Sequence, residues 1–445
     1  MTESIQKEPT QAWVTTFAGT SINLCLGILY AWSIWKSALV NVDKAGQMFP
    51  ADSMNAGWTY LTNAQAATPF TLCVIIFAVF MIPGGKIQDK ISPKFGATVG
   101  GLLLAVGCII AGLMKSYTGL LIGFGILGGM GMGIGYAAPT PAALKWFGPK
   151  KRGLVAGLVV GGYGGAALYI GYLGQFLIDK YGVTGSFIGL GSFFCVVVLI
   201  AGQLLKTPEE GYVPPGTVAT AAEIKAGTGP VKVNNWETGM MMKTWQCWAL
   251  VFMFILTTQS GLLIISSAKG ILSVTAKDIP FFFANAWILV CFGGLVNATG
   301  RVGTGFYSDK IGRTNAYMLN CSVSALCMFS LPMVIASKNV ALLFLVVGIA
   351  YWQYGGGLAL MPSFVGDFFG PKNLGMNYGI VFMGWGFGVF VARLGGWIQD
   401  VTGSLNNAFY LSGALLIAGV ILAKILTKPS YSQYHSDPEV ERVNV

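Results

Sequence analysis

The chain has 445 residues, of which 54% are hydrophobic and 10% charged. Soluble domains carry about 25% charged residues, so a chain of water-soluble domains is excluded and a lipid bilayer is the expected surrounding. The net charge of +10 is no nucleic-acid footprint, because the Lys and Arg residues sit in short loops between apolar stretches.

A crossing helix needs about 20 apolar residues. In chain order the spacing predicts twelve, at 13–37, 64–83, 95–115, 118–144, 153–178, 185–206, 244–268, 280–307, 314–337, 339–363, 374–399 and 404–426. The first is too long for a signal-peptide core and lacks a clear cleavage site, so it is expected to be retained. The loop 38–63 is expected to fold partly over the mouth. The stretch 207–243 opens on Thr207-Pro-Glu-Glu-Gly211 and Val213-Pro-Pro-Gly216 and reads as a linker without a packed core. It divides the chain into a six-helix bundle at 1–206, a second at 244–428 and a tail at 429–445. Eighteen of the 27 Lys and Arg residues fall in the termini, the linker and the loops on their side, seven on the other side and two inside spans. The positive-inside rule then puts both termini in the cytoplasm, with a bacterial cytoplasmic membrane as the expected location. The 62 glycines, with runs such as Gly128-Gly-Met-Gly-Met-Gly-Ile-Gly135, read as helix-packing surface. The eight cysteines are scattered singly and read as small apolar fillers.

The halves repeat. Gly85-Lys-Ile-Gln-Asp89-Lys90 follows the second span and Gly305-Phe-Tyr-Ser-Asp309-Lys310-Ile-Gly-Arg313 the eighth, with aspartates 220 residues apart. Trp146-Phe-Gly-Pro-Lys150 and Phe368-Phe-Gly-Pro-Lys372 are 222 apart, as are Gly162-Tyr163-Gly164 and Gly384-Trp385-Gly386. Internal repeats mark transporter folds that hold substrate near the midplane between them. The paired Asp-Lys loops, six-plus-six spans and linker resemble the major facilitator superfamily, although Ser92-Pro93 replaces the glycine that the first loop should carry. The implied fold is all-α, with twelve transmembrane helices in two six-helix pseudo-symmetric bundles. Asp89, Lys90, Asp309, Lys310 and Arg313 would form its cytoplasmic gate motif. Within the superfamily the chain is most similar to the oxalate/formate antiporter group and related monocarboxylate transporters. That likeness is carried by Gly27-Ile-Leu-Tyr30-Ala-Trp32-Ser33, Lys145 to Gly153, Met242 to Trp248, Asn297-Ala-Thr-Gly-Arg301, Met361-Pro-Ser363 and Asn377-Tyr-Gly379.

Arg301 is the sharpest candidate. It lies eight residues before Asp309, about 12 Å up the helix, which is near the midplane of a hydrocarbon core roughly 30 Å thick. A charge there is costly and marks a functional site, and its planar fork suits a carboxylate. All 17 Asp and Glu residues map to termini, loops or helix ends, which leaves substrate as the counter-ion. Asn297, one turn earlier, is expected to donate a further bond. Arg393, near the outer end of the eleventh span, reads equally as an interface anchor or an outer gate. Tyr30, Tyr136, Tyr163, Tyr354 and Trp385 match cavity positions of the family. Its oxalate-carrying members resemble one another in a lysine where this chain has Trp385, so one cationic charge is lost and a monoanion is implied.

The expected function is alternating-access transport of small carboxylates such as lactate, pyruvate or formate, by proton-coupled symport or anion exchange. An oxalate:formate-type exchange is the alternative, and an anion channel or a membrane enzyme belongs to another class. The expected partners are the carboxylate, the bilayer and possible coupling protons, with a monomeric functional unit and neither cofactor nor nucleic acid. The one histidine, His435, lies in the tail, so no side-chain proton relay of the usual kind is visible. Single cysteines at Ala45 and Lys225 should label from opposite sides of the membrane; labelling from one side breaks the twelve-span reading. Truncation after Thr427 should leave transport intact in protein that still inserts.

Overall fold

The computed structural model describes residues 9–147, 149–209, 212, 236–370 and 373–430. The side chains of Asp89, Lys90 and Asp309, most of the expected linker, and the tail from 431 with His435 lie outside the described residues. Among the described residues there is no β-strand, only two isolated bridges in the loop before residue 62.

Among the described residues, twelve helical segments take the places of the expected crossings. They are α1 (Thr10–Leu39), α2 (Asn63–Lys90), α3 (Pro93–Met114), α4 (Tyr117–Leu144), α5 and α6 (149–181 and 183–204) and α7 (Trp245–Ile265). Then follow α8 (Ile288–Ile311), α9 (Arg313–Ala336), α10 (Val340–Phe369), α11 (Leu374–Gly388 with Phe390–Thr402) and α12 (Asn406–Ile425). Ten continuous helical stretches are apolar and long enough to span. One of these holds both α5 and α6, broken only at Gly182, whose φ of 69° is a left-handed conformation that glycine adopts without strain. The remaining crossing, α8, has 24 residues and carries Asn297 and Arg301, which lower its apolar character.

The charged motifs lie on helix, not in loops as the sequence suggests: α2 runs through Lys90 and α8 through Lys310. Likewise α10 continues to Phe369, beyond its expected end at 363. Hydropathy marks where a helix leaves hydrocarbon, while Lys and Gln are good helix formers that let it continue into the headgroups. The loop 38–63 packs on its own bundle: Trp58 Nε1 donates to Thr184 Oγ1 at 2.9 Å, and Val183 N donates to Asn55 Oδ1 at 2.8 Å. Seven of the eight cysteines are buried and all are unpaired. Gly131 and Gly133 bring α4 against backbone carbonyls of α3 and α2, which fits the packing role expected of that glycine run.

The two bundles meet along α5–α8 and α2–α11. With an even number of crossings Thr10 and Ile425 share one face, the terminal face. Every hydrogen bond between the bundles among the described residues lies at the level of Arg301 or toward the opposite, far face. There Asp400 of α11 accepts from Asn63 N at 2.9 Å, Asn63 Nδ2 at 2.9 Å and Ala64 N at 2.8 Å. Thr62 and Gln65 complete a capping box, so the first-turn donors of α2 are shared between a cap from its own bundle and a carboxylate from the other. Lys36 Nζ donates to Ser267 Oγ at 3.2 Å and Lys269 Nζ to Gln175 Oε1 at 2.6 Å. Lys269 sits beyond the spanning helices, and burial pushes its ammonium down to about 8 against the pull of Asp179. The far face is closed.

Removing the shared cap should loosen that closure. A lost helix cap costs about 0.5–2 kcal/mol. Asp400→Ala should therefore speed alkylation of a single cysteine at Ser267, in a background without the native cysteines, by about 2- to 30-fold. An unchanged rate would mean that Asp400 does not hold the face shut.

Candidate functional site

Tyr30 lies in a 3-10 stretch, Gly27–Ala31, that interrupts α1. Tyr136 ends the helix Gly129–Tyr136 just before Pro139. Both side chains thus project from irregular backbone at the middle of the bilayer, which membrane proteins tolerate where it is buried in protein or lines a cavity. Arg301 and Asn297 come from α8, Tyr354 from α10, Trp385 from α11 and Tyr163 from α5. All seven predicted substrate-site residues are gathered here.

Arg301 is 7% exposed. Its Nη2 donates to Tyr30 Oη at 3.1 Å, its Nε to Asn297 Oδ1 at 3.3 Å and its Nη1 to the Val160 carbonyl at 3.5 Å. The Tyr136 ring packs beside Tyr163 and Phe77 in the same cluster. Among the described residues it makes no ion pair. Asn297 therefore orients the guanidinium by accepting through Oδ1, and its Nδ2 remains available to donate. Gly164 lies against the guanidinium, and a Cβ there would meet Nε at 3.1 Å, which explains the small residue at that position.

The hydroxyls form a chain. Trp385 Nε1 donates to Tyr354 Oη at 3.0 Å, and Tyr354 Oη and Tyr30 Oη are 3.2 Å apart. Each phenol has one proton. One of the two protons joins the pair, and the other remains for a ligand in either arrangement. Tyr163 turns elsewhere: its hydroxyl donates to Met132 Sδ at 3.6 Å while its ring packs edge-on against Tyr30 and Tyr136. It is a wall residue.

The wall also contains side chains that the sequence did not single out. Phe77 touches Tyr136, Tyr163, Trp385 and Phe382, and Phe382 packs on Trp385 and Tyr378. Residues 378, 382 and 385 recur at helical spacing, a stripe that could have revealed Phe382. Arg393 is half-buried near the far end of α11, outside this cluster, with no side-chain hydrogen bond to a described residue. In the gate motif Arg313 Nε bonds Asp367 at 3.3 Å and its Nη1 bonds Ser308 Oγ, while Lys310 is exposed.

A sequence profile described as Major Facilitator Superfamily matches residues 13–355. The chain belongs to the Major Facilitator Superfamily. It is thus a multi-pass membrane transporter and not an enzyme. An oxalate:formate antiporter of Oxalobacter formigenes is 26% identical over 89% of this chain and 87% of its own length. Monocarboxylate transporter 12-B of Danio rerio is 23% identical over 76% of this chain and 74% of its own. Among solved structures, a D-xylose-proton symporter has a TM-score of 0.66 at 16% identity, over 94% of this chain and 98% of that one, and so shares the fold.

Tyr30→Phe removes a hydroxyl that can donate to the carboxylate, a charge-assisted bond worth about 1.5–3 kcal/mol. Transport affinity should fall roughly ten- to hundredfold. Tyr163→Phe, which loses only a thioether contact, should fall by less than about tenfold. The reverse order, measured as KM in proteoliposomes, would move the ligand away from Arg301.

Proposed function

We propose that this transporter carries small monocarboxylates, such as lactate, pyruvate or formate, by alternating access around Arg301. The observation that carries the reading is a buried guanidinium held by neutral oxygens with no ion pair to an acid among the described residues. An unpaired buried charge costs several kcal/mol, so an anion placed between Arg301 and the Tyr30–Tyr354 pair gains strongly. The spare phenolic proton and the Asn297 amide would bind its oxygens, and the aromatic wall would set its size.

One cation matches one negative charge. A monoanion is balanced by Arg301 alone, whereas a dianion needs a second cation at the place that Trp385 fills. The relative that exchanges oxalate for formate is the ground for the second reading, an exchanger of dicarboxylates, and Trp385 speaks against it. Cargo that carries its own proton and cargo exchanged for another anion both satisfy a site without an acidic relay. We place both termini in the cytoplasm, in a bacterial cytoplasmic membrane, and divide the monomer at the linker 207–243. The far face is then the outer one, with Asp89, Lys90, Asp309, Lys310 and Arg313 gating the inner side and Arg393 near the outer mouth.

Competition by lactate, formate and oxalate tests the charge balance. Arg301→Lys keeps the charge but loses the fork, and Arg301→Gln loses both. Breaking a buried pair costs about 3–5 kcal/mol, so binding should fall by about two to four powers of ten, more for Gln than for Lys. Trp385→Lys should shift preference toward oxalate. A parent protein that already prefers oxalate, or an Arg301→Gln variant that binds every acid normally, refutes the assignment.

A further inference from the structure

The two halves keep the same contacts at repeat-related positions but fill them with different chemistry. Met132 and Tyr354 are 222 positions apart, as are Tyr163 and Trp385. In the first half Tyr163 donates to the Met132 thioether; in the second Trp385 donates to the Tyr354 hydroxyl. A phenol of the Arg301 network thus stands on α10 where the first half has a methionine on α4. A rigid ring cannot adapt to its neighbours as methionine can, so room must be left for it, and α7 leaves that room. Gly162 lies against the backbone of Thr20, and its mate Gly384 against that of Val251. Helix α1 therefore answers α7 at a distance of 231 positions, and Tyr30 answers Gly261. Where the first half carries one phenol of the pair, the second half carries a glycine that receives the other.

A Cβ at Gly261 would overlap Cγ and Cδ2 of the Tyr354 ring and lie 2.7 Å from its Cβ, whereas carbon atoms pack at about 3.5–4.0 Å. Helix α10 cannot retreat to make room. On its other side Gly355 abuts the Asn297 backbone of α8, and a Cβ there would meet Asn297 Oδ1 at 2.9 Å. The adjustable part is the ring, which would turn away from Tyr30 Oη, now at 3.2 Å, and from Trp385 Nε1, now at 3.0 Å. We propose that Gly261 is a positioning residue for the carboxylate site: its missing side chain is the seat that keeps the Tyr354 hydroxyl in the chain reaching Arg301 through Tyr30. This deepens the carboxylate reading of the central site and rests on it.

A double-mutant cycle tests it. L-Lactate KM is measured in proteoliposomes for the parent, Gly261→Ala, Tyr354→Ala, the double variant and, as a control, Gly189→Ala. Alanine is the better helix former, so without the ring contact the exchange would leave α7 at least as stable. Gly261→Ala should raise KM about ten- to hundredfold, the scale of one lost bond to a charged group. Gly189→Ala on α6, where a Cβ would meet Leu177 at an ordinary 3.5 Å, should keep the parent KM. Tyr354→Ala removes the ring that the new methyl meets. The double variant should therefore lie within about threefold of Tyr354→Ala, whereas independent effects would multiply. If Gly261→Ala alone fails to insert, the double variant should insert, because the ring overlap is gone. A parent-like KM for Gly261→Ala, the same rise in Gly189→Ala, effects that multiply, or a double variant that fails along with the single one overturns the proposal. Failure of the central reading looks different: Arg301→Gln would then transport lactate with the parent KM, whatever Gly261 does.

Discussion

A guanidinium buried at the middle of a membrane must be satisfied, and much of this molecule is arranged around how Arg301 is satisfied. Its fork is met by an amide oxygen, a backbone carbonyl and a phenolic oxygen. None of these neutralises its charge. To deliver the phenol, α1 departs from regular helix at Tyr30. The α5 backbone comes close enough at Val160 and Gly164 to touch the side chain of α8. Neutral acceptors hold the cation in place without cancelling its affinity for an anion, and the residual charge is the basis of the proposed selectivity.

The same contacts join the bundles. Tyr30 belongs to the first half of the chain, while Arg301 and Tyr354 belong to the second, so a ligand inserted among them exchanges inter-bundle bonds for bonds to itself. Toward the far face the closure consists of a few hydrogen bonds from Asp400, Lys36 and Lys269. Individually such bonds contribute on the order of 1–3 kcal/mol. A closure built from them is of the size that substrate binding can shift, as alternating access requires.

The sequence showed the fold because lipid imposes simple rules: span length, charge asymmetry and the internal repeat suffice for twelve helices in two bundles. Arg301 was visible because a charge inside a span is rare, and Tyr30, Tyr354 and Trp385 because a family likeness pointed to them. Phe77 and Phe382 were not, since in an apolar helix a phenylalanine facing a cavity looks the same as one facing lipid. The direction in which the Asn297 amide and the Tyr163 hydroxyl are used depends on neighbours from other helices, which spacing alone does not supply. The docking of loop 38–63 on the α5–α6 corner depends on Gly182, whose left-handed backbone is not evident in a glycine-rich chain. The pairing of Asp400 with the start of α2 joins residues more than 330 positions apart, and no local pattern announces it.

The central claim is where the carboxylate sits. Cryo-electron microscopy of the protein with saturating L-lactate addresses it most directly. The account predicts density for the carboxylate against the Arg301 guanidinium, with the Tyr30 and Tyr354 hydroxyls turned toward its oxygens and Trp385 forming the opposite wall. Lactate bound elsewhere, with Arg301 still closed on Tyr30 and Asn297 as described above, would contradict it.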